Sequence, residues 1–291
     1  MASIDTLVVT RTRNRPAFLK RAAESIAAQR YDRFAWVVVN DGGERDPVDA
    51  VLRTLPASLS CEAIHLAENV GMEAAGNAGM ASLLGDGASF AALHDDDDRW
   101  SPEFLSRMTA ILAADADLAG AVCDWEEVEE RISEGEISVQ GEGTAMTPGP
   151  LTLPRMAVRN RFPPISLLFR KQAWKAAGGF SERLPVLGDW DFNLRLLLQG
   201  DLATCPHRLA YQHVRPQASG DAANSVTAGQ ELHKVMRTRL INDYVRREVS
   251  SGKPGLGTLL AQADILEDGL ARTSLKSRLR RVLGLGGRSG D

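Results

Sequence analysis

Residues 94–98 read HDDDD, directly after the small and apolar run SFAAL. Four adjacent carboxylates repel one another, so the run either gathers positive charge or stands as a wet loop. Carboxylate oxygens are hard ligands and can hold a divalent cation. An EF-hand is not expected, because the spaced acidic loop and its closing Glu are missing. His94 would join such a site only for a transition-type ion. A second pair of acids, Asp189 and Asp191 in GDWDFNLRL, leads a helix-like stretch. Acids in a first turn suit the helix macrodipole, which is a sufficient structural reason for both. Asp41, in NDGG, has the bland reading of a turn former before Gly. His213, alone in AYQHVRP, has the equally bland reading of a structural or exposed histidine.

These groups need elements to position them. TLVVT (6–10), FAWVVVN (34–40), CEAIHL (61–66) and SFAAL (89–93) read as strands. Between them lie helix-like stretches: FLKRAAESIAAQ, with Phe18, Leu19, Ala22, Ala23 and Ile26 on one face, then VDAVLRTL and GMEAAGNAGMASLL. This alternation predicts an α/β fold with a mainly parallel sheet covered by helices, whose ligands bind beyond the carboxyl ends of the strands. Asp41 and the acidic run both fall at such ends. From about 117 the pattern changes. LAGAVCDW reads as a strand, EEVEERISEGEISVQGEG as an exposed hairpin, and 141–164, rich in Gly and Pro, as a long, partly mobile loop. ISLLFR reads as a strand, KQAWKAAGGF as a short helix stopped by Gly178 and Gly179, and about 224–249 as helix again.

Composition narrows the class. The chain has 291 residues, 44% hydrophobic and 25% charged, enough for one large domain, or one domain with an appendage. A net charge of -4 argues against a general nucleic-acid binder. Cys61, Cys123 and Cys205 are odd in number and lack CxxC spacing, as expected of buried thiols in a reducing compartment. With no signal-like or membrane-spanning stretch in the sequence, a soluble cytoplasmic protein is expected. The basic segment RTSLKSRLRRVLG reads either as a contact with an anionic membrane surface or as a solvated helix or homo-oligomer contact.

Five stretches, in order over about 6–215, together resemble the family 2 glycosyltransferases, nucleotide-sugar enzymes of the GT-A fold. They are VVTRTRNRPAFLKRAAESIAAQRY, FAWVVVNDGG, ENVGMEAAGNAGM, AALHDDDDRWSPEFL and SLLFRKQAWKAAGGFSERLPVLGDWDFNLRL. The resemblance implies a metal-dependent inverting transfer from a UDP-, GDP- or dTDP-sugar to a saccharide or lipid-linked acceptor. It implies Mn²⁺ or Mg²⁺, which stabilises the departing diphosphate as a Lewis acid. On this resemblance Asp97 is the direct metal ligand, and Asp95 the first acid of the DXD, near the ribose or the metal's water shell. Asp98 is a weaker candidate, Asp96 lies on the donor side or is solvated, and His213 sits where some members place a late histidine near the metal. A strand end alternates side-chain direction, so Asp95 and Asp97 point together while Asp96 points away, which supports the DXD pair over four equal ligands.

Asp41 falls where the family receives the base or ribose, and Thr12 and Asn14 lie in its nucleotide-contacting loop. Asn69, Gly71 and Asn77 match the Asn-x-Gly segment and its helix. The sequence departs from the family at Arg11, where Pro is usual, at Arg13, where an aromatic is usual, and at Gly76, where many members have Arg. Arg11, Arg13 or Arg15 can supply phosphate-side charge. Asp189 is implied as the catalytic base, with Asp191 in reserve, and Trp190 either packs on a sugar face or is buried. Arg215 is a weaker phosphate contact. The expected organisation is a GT-A domain over 1–220, with its nucleotide half at about 1–100 and its acceptor half at about 101–220. A helical extension with a basic tail follows over 221–291. The alternatives are a sugar-phosphate nucleotidyltransferase, against which no Gly-rich phosphate loop follows the first strand, and a non-catalytic sugar-nucleotide-binding module.

Overall fold

The computed structural model describes residues 3–133, 136–216 and 230–267. The apolar runs of the first half form β1 (Thr6–Thr12), β2 (Phe34–Asn40), β3 (Ser60–His65) and β4 (Phe90–Leu93), all paired in parallel in the order β3-β2-β1-β4. Every residue of β2 is buried. Side chains such as Val8, Val9, Val37 and Val38 are fully enclosed, each contributing about 1.5–3 kcal/mol relative to exposure.

Helices α1 (Pro16–Ala27), α2 (Arg45–Leu52) and α3 (Met72–Met80) connect the strands. The face of α1 that meets the core is the one read from its spacing, Phe18, Leu19, Ala22, Ala23 and Ile26. Helix α3 lies so close to the sheet that a Cβ at Gly79 would stand 2.3 Å from Val9 Cγ1. Only glycine permits that approach.

The second half reverses the sheet. After β5 (Arg99–Trp100) and α4 (Phe104–Ala114), the long β6 (Gly120–Ser133) pairs antiparallel with β9 (Leu167–Arg170), which pairs antiparallel with β4. The polar end of β6 does form a hairpin, with β7 (Glu136–Val139). One expectation needs correction, and one strand went unread. The stretch 141–164 carries β8 (Thr144–Met146), which pairs with β6, and helix α5 (Leu153–Val158). Its apolar anchors Met156, Ala157 and Phe162 are buried, which outweighs the Gly and Pro that suggested a loop. A 13-residue strand, β10 (Leu202–Val214), runs parallel to β6 with register shifts around Arg208. The polar insert Pro206, His207 and Arg208 hid it.

Helices α6 (Lys171–Ala176) and α7 (Gly188–Leu197) complete the domain. The helix Gln230–Ser251 and a further one over 256–267 bury Met236, Leu240, Leu256 and Leu260 in the same core as the sheet. The expected boundary near 220 and the basic segment 272–284 lie outside the described residues. Among those described, no helix is long and apolar enough to cross a membrane. The cysteines are free thiols.

Candidate active site

Strand register brings the chemistry to one edge. Thr12 is level with Asn40, and Val9 with Leu93, so the loops after β1, β2 and β4 leave the sheet side by side. Asp41 N–H donates to Thr12 C=O at 2.9 Å, and His94 N–H to Val9 C=O at 2.9 Å.

The acidic run is a turn, closed by Asp98 N–H to Asp95 C=O at 3.2 Å. Strand alternation therefore does not set its side-chain directions, and each carboxylate finds a different partner. Asp95 pairs with Arg11. Asp96, fully buried, accepts from Thr12 Oγ1 at 2.7 Å and from Arg15 Nε at 3.1 Å. Asp97 pairs with Arg215 and lies 3.6 Å from Arg15, while Arg21 donates to its backbone oxygen. Asp98 accepts from the backbone N–H of His213 at 2.7 Å. The charge that makes four acids tolerable comes from arginines on β1, its loop and the end of β10. Burial still pushes Asp96 up to about 7 against the pull of Arg15, with Asp97 adding to the rise. Asp98 is raised for the same first reason, burial, then by Asp97 and Asp95.

The two histidines near the run are built into the protein. His94 is fully buried, stands edge-on to Trp100 at 4.6 Å, and is pushed down to about 4 by burial. His213 Nδ1 lies 2.6 Å from Glu130, and its Nε2 accepts from Arg99 Nε at 3.0 Å. That network assigns the proton to Nδ1. Among the described residues no group of three or more His, Cys, Asp or Glu is arranged as a metal cluster.

On the donor side Asp41 accepts from the backbone N–H groups of Val70 at 2.7 Å and Gly71 at 3.0 Å. It thereby ties the Asn69–Gly71 segment to the β2 turn. Gly42 has φ +71°, and a Cβ there would lie 2.4 Å from Asn69 N. Asn14, itself at φ 53°, accepts from Glu44 N–H at 3.0 Å. In the amide orientation that satisfies both partners, Asn69 accepts from Arg13 at 3.1 and 3.3 Å. Asn77 turns instead to the acceptor half, bonding Phe180 N–H and C=O at 2.9 Å each.

The two acids of α7 have different surroundings. Asp191 is 3% exposed, accepts from Arg195 at 2.9 and 2.6 Å, and accepts from Tyr244 of the long helix at 2.7 Å. Asp189 is half-buried and accepts from Asn160 Nδ2 at 2.7 Å. Its surface is partly open, yet enough protein surrounds the carboxyl for burial to raise its pKa, with Asp95 adding to the rise and Arg11 opposing it. Trp190 is buried, donating to Met156 C=O at 2.5 Å. Beneath Asp189 lies a hollow of about 10 Å³, walled by Phe169, Phe180 and Phe192, too small for a sugar. A larger open groove of about 510 Å³, lined by Asp49, Arg53, Cys61 and His65, lies at β3 and contains none of the site residues.

Sequence reasoning missed Glu73. It is 7% exposed, stands 3.6 Å from Arg11, and its Oε2 makes no hydrogen bond. Burial pushes it up to about 7 against Arg11, with Asp189 and Asp95 adding to the rise. Gly188 is its counterpart, because a Cβ there would fall 1.8 Å from Glu73 Oε1. Arg11 also runs past Gly76, where a Cβ would lie 3.6 Å from its Cδ. The one available signal was a lone acid in the otherwise small-residue stretch MEAAGNAGM.

A parallel first half with charged loops at its carboxyl edge, joined to a mixed second half that carries an acid-led helix, is the architecture of GT-A-type proteins. A sequence model of glycosyl transferase family 2 matches residues 7–170, more than half of the chain. The chain belongs to glycosyltransferase family 2. It is 30% identical over 189 residues to the uncharacterized glycosyltransferase YwdF of Bacillus subtilis (strain 168), covering 65% of this chain and 66% of that protein. The chain thus spans about two thirds of that relative's length. Staphylococcus aureus TarS 1–349 in complex with UDP-GlcNAc superimposes with a TM-score of 0.61 at 18% identity, over 82% of this chain and 67% of TarS. The Pyrobaculum calidifontis mannosyltransferase PcManGT, in complex with GDP-Man and Mn²⁺, gives 0.55 at 14% identity, over 96% and 81%. At these identities the structural likeness establishes the fold.

Proposed function

We propose that the chain is a metal-assisted, inverting glycosyltransferase. It moves a sugar from a UDP-, GDP- or dTDP-sugar to a hydroxyl of a saccharide or lipid-linked acceptor. The observation that carries this reading is the placement of Asp189. It is a half-open carboxylate held by Asn160, with a pKa raised by burial and by Asp95 and opposed by Arg11. Such a group can take the proton of an acceptor hydroxyl as its oxygen attacks the anomeric carbon. Asp191 is committed to Arg195 and Tyr244, which favours Asp189 over it as the base.

On the donor side, the Asp41-tied Asn69–Gly71 segment and the arginines of the β1 loop would receive the nucleotide and its phosphates. The donor set suits Mn²⁺ or Mg²⁺: Asp95 and Asp97 offer hard oxygens, and each now faces a guanidinium that stands in for a cation. Bound there, the ion would supply charge neutralisation for the departing diphosphate. That TarS and PcManGT are seen with nucleotide sugars, the latter also with Mn²⁺, is consistent with this assignment.

A thermal-shift panel of nucleotide sugars with and without Mn²⁺, followed by product analysis, tests the reading. Release of nucleoside diphosphate with an inverted anomeric centre is expected. Pyrophosphate release would make the protein a nucleotidyltransferase, and donor binding without turnover across an acceptor panel would make it a binding module. Asp97→Ala should abolish the metal-dependent part of donor binding. A Mn²⁺-induced shift that survives the change would remove Asp97 from the metal site.

A further inference from the structure

The stretch that holds Asp189 in place is also strongly basic. Within it, Met156, Ala157 and Phe162 are buried anchors. Asn160 donates to Asp189 at 2.7 Å and accepts from Asn193 at 3.1 Å, which pins the backbone beside the proposed base. Arg159 and Arg161 flank Asn160, and Arg155 lies in the last turn of α5. Arg155 and Arg159 are exposed, and among the described residues none of the three forms an ion pair with a carboxylate. Arg161 donates twice to Pro148 C=O, at 3.1 and 3.0 Å, which holds its guanidinium without neutralising it. Its pKa is lowered by partial burial and then by Arg159 and Arg155, with no acid in compensation. Nearby Arg237, which touches Val158 C=O at 3.3 Å, is by contrast neutralised by Asp264 and Glu267.

Three uncompensated guanidinium groups on one fixed segment concentrate anions, and the planar fork of arginine matches phosphate oxygens two at a time. We propose that Arg155, Arg159 and Arg161 form a phosphate subsite for the acceptor, so that the sugar is transferred to a molecule carrying a phosphate within reach of its nucleophilic hydroxyl. Arg159 and Arg161 are the immediate chain neighbours of Asn160, whose side chain bonds the Asp189 carboxylate, so the basic segment borders the proposed base. The inference rests on the reading of Asp189 as the base. Phosphate on a soluble saccharide and phosphate in a lipid-linked diphosphate would be recognised by the same groups.

Calorimetric titration of the full chain with three probes separates the cases: methyl glucoside, glucose 1-phosphate and a short alkyl diphosphate glucoside. The wild type is expected to bind the phosphorylated probes at least tenfold more tightly than methyl glucoside, and Arg155→Ala/Arg159→Ala to lose about tenfold of that affinity. Tighter binding of the alkyl diphosphate than of the monoester would assign the lipid-linked source, and the reverse a soluble phosphosaccharide. Equal affinity for all three probes would overturn the proposal. So would phosphate binding that the double variant retains, since it would belong to the donor side. Thermal shifts with nucleotide sugars, measured on the same samples, report separately on the glycosyltransferase reading. Their failure leaves the phosphate titration to decide this subsite.

Discussion

Gly188→Ala would test how the two halves of the site are joined. The added Cβ would lie 1.8 Å from Glu73 Oε1, 2.4 Å from its Cδ and 2.5 Å from its Cγ. Ordinary contact needs about 3.5 Å, so the groups must separate by roughly 1.5 Å. Glu73 has little room to yield, being 7% exposed with Arg11 3.6 Å away. Leu187, just before the glycine, already holds the left-handed conformation at φ 68°. Either Arg11 loses its carboxylate, or the first turn of α7 shifts and takes Asp189 with it. A misplacement of about 1 Å at a reacting group costs on the order of 100-fold in rate, and overpacking of this kind costs about 1–3 kcal/mol of stability. The assay is kcat at saturating donor together with chemical denaturation. Glu73→Ala removes the clash, so the double variant should recover most of the rate lost by Gly188→Ala alone. A double-mutant cycle should then show coupling of at least about 1 kcal/mol. Wild-type kcat and stability in Gly188→Ala, or a double variant no better than the single one, would refute the packing argument.

Other consequences can be checked independently. Asp189→Asn should lower kcat by about 10²–10⁴ while calorimetric donor affinity stays within a few-fold, and normal turnover would remove it as the base. Tyr244→Phe breaks the 2.7 Å bond to Asp191. It should cost about 1–2 kcal/mol in urea denaturation with kcat nearly unchanged, and a collapse of kcat at full stability would return Asp191 to the chemistry. Glu73 gives a pH signature. Its pKa is raised by burial from 4.5 to about 7, so between those values the folded protein keeps a proton that the unfolded chain releases. Its contribution to stability is therefore present below about pH 4.5 and lost as pH rises to about 7, by at most about 1.4 kcal/mol per pH unit. Glu73→Gln should flatten that part of the stability–pH curve, and parallel curves for variant and wild type would count against the buried, raised carboxyl.

How much could be read without coordinates depended on the range of the forces involved. Strand β2 was legible to the residue, because a continuous apolar run ended by DGG has few other uses. The buried face of α1 followed from helical spacing alone. The stretch 141–164 was misread because its loop-like composition is overruled by a few anchors, Met156 and Phe162 among them, that find a core only in three dimensions. Strand β10 was missed because Pro206, His207 and Arg208 interrupt its pattern where the register shifts.

The sequence by itself determined an alternating α/β chain with acids at strand and helix ends, since hydrophobic periodicity and turn chemistry are local. Tertiary structure alone decided what those acids meet. Arg11 lies 84 residues from Asp95, and Arg215 118 residues from Asp97. It likewise committed Asp191 to Tyr244 and Asp189 to Asn160. Charge pairing and burial depend on distance in space, which the order of residues along the chain does not record.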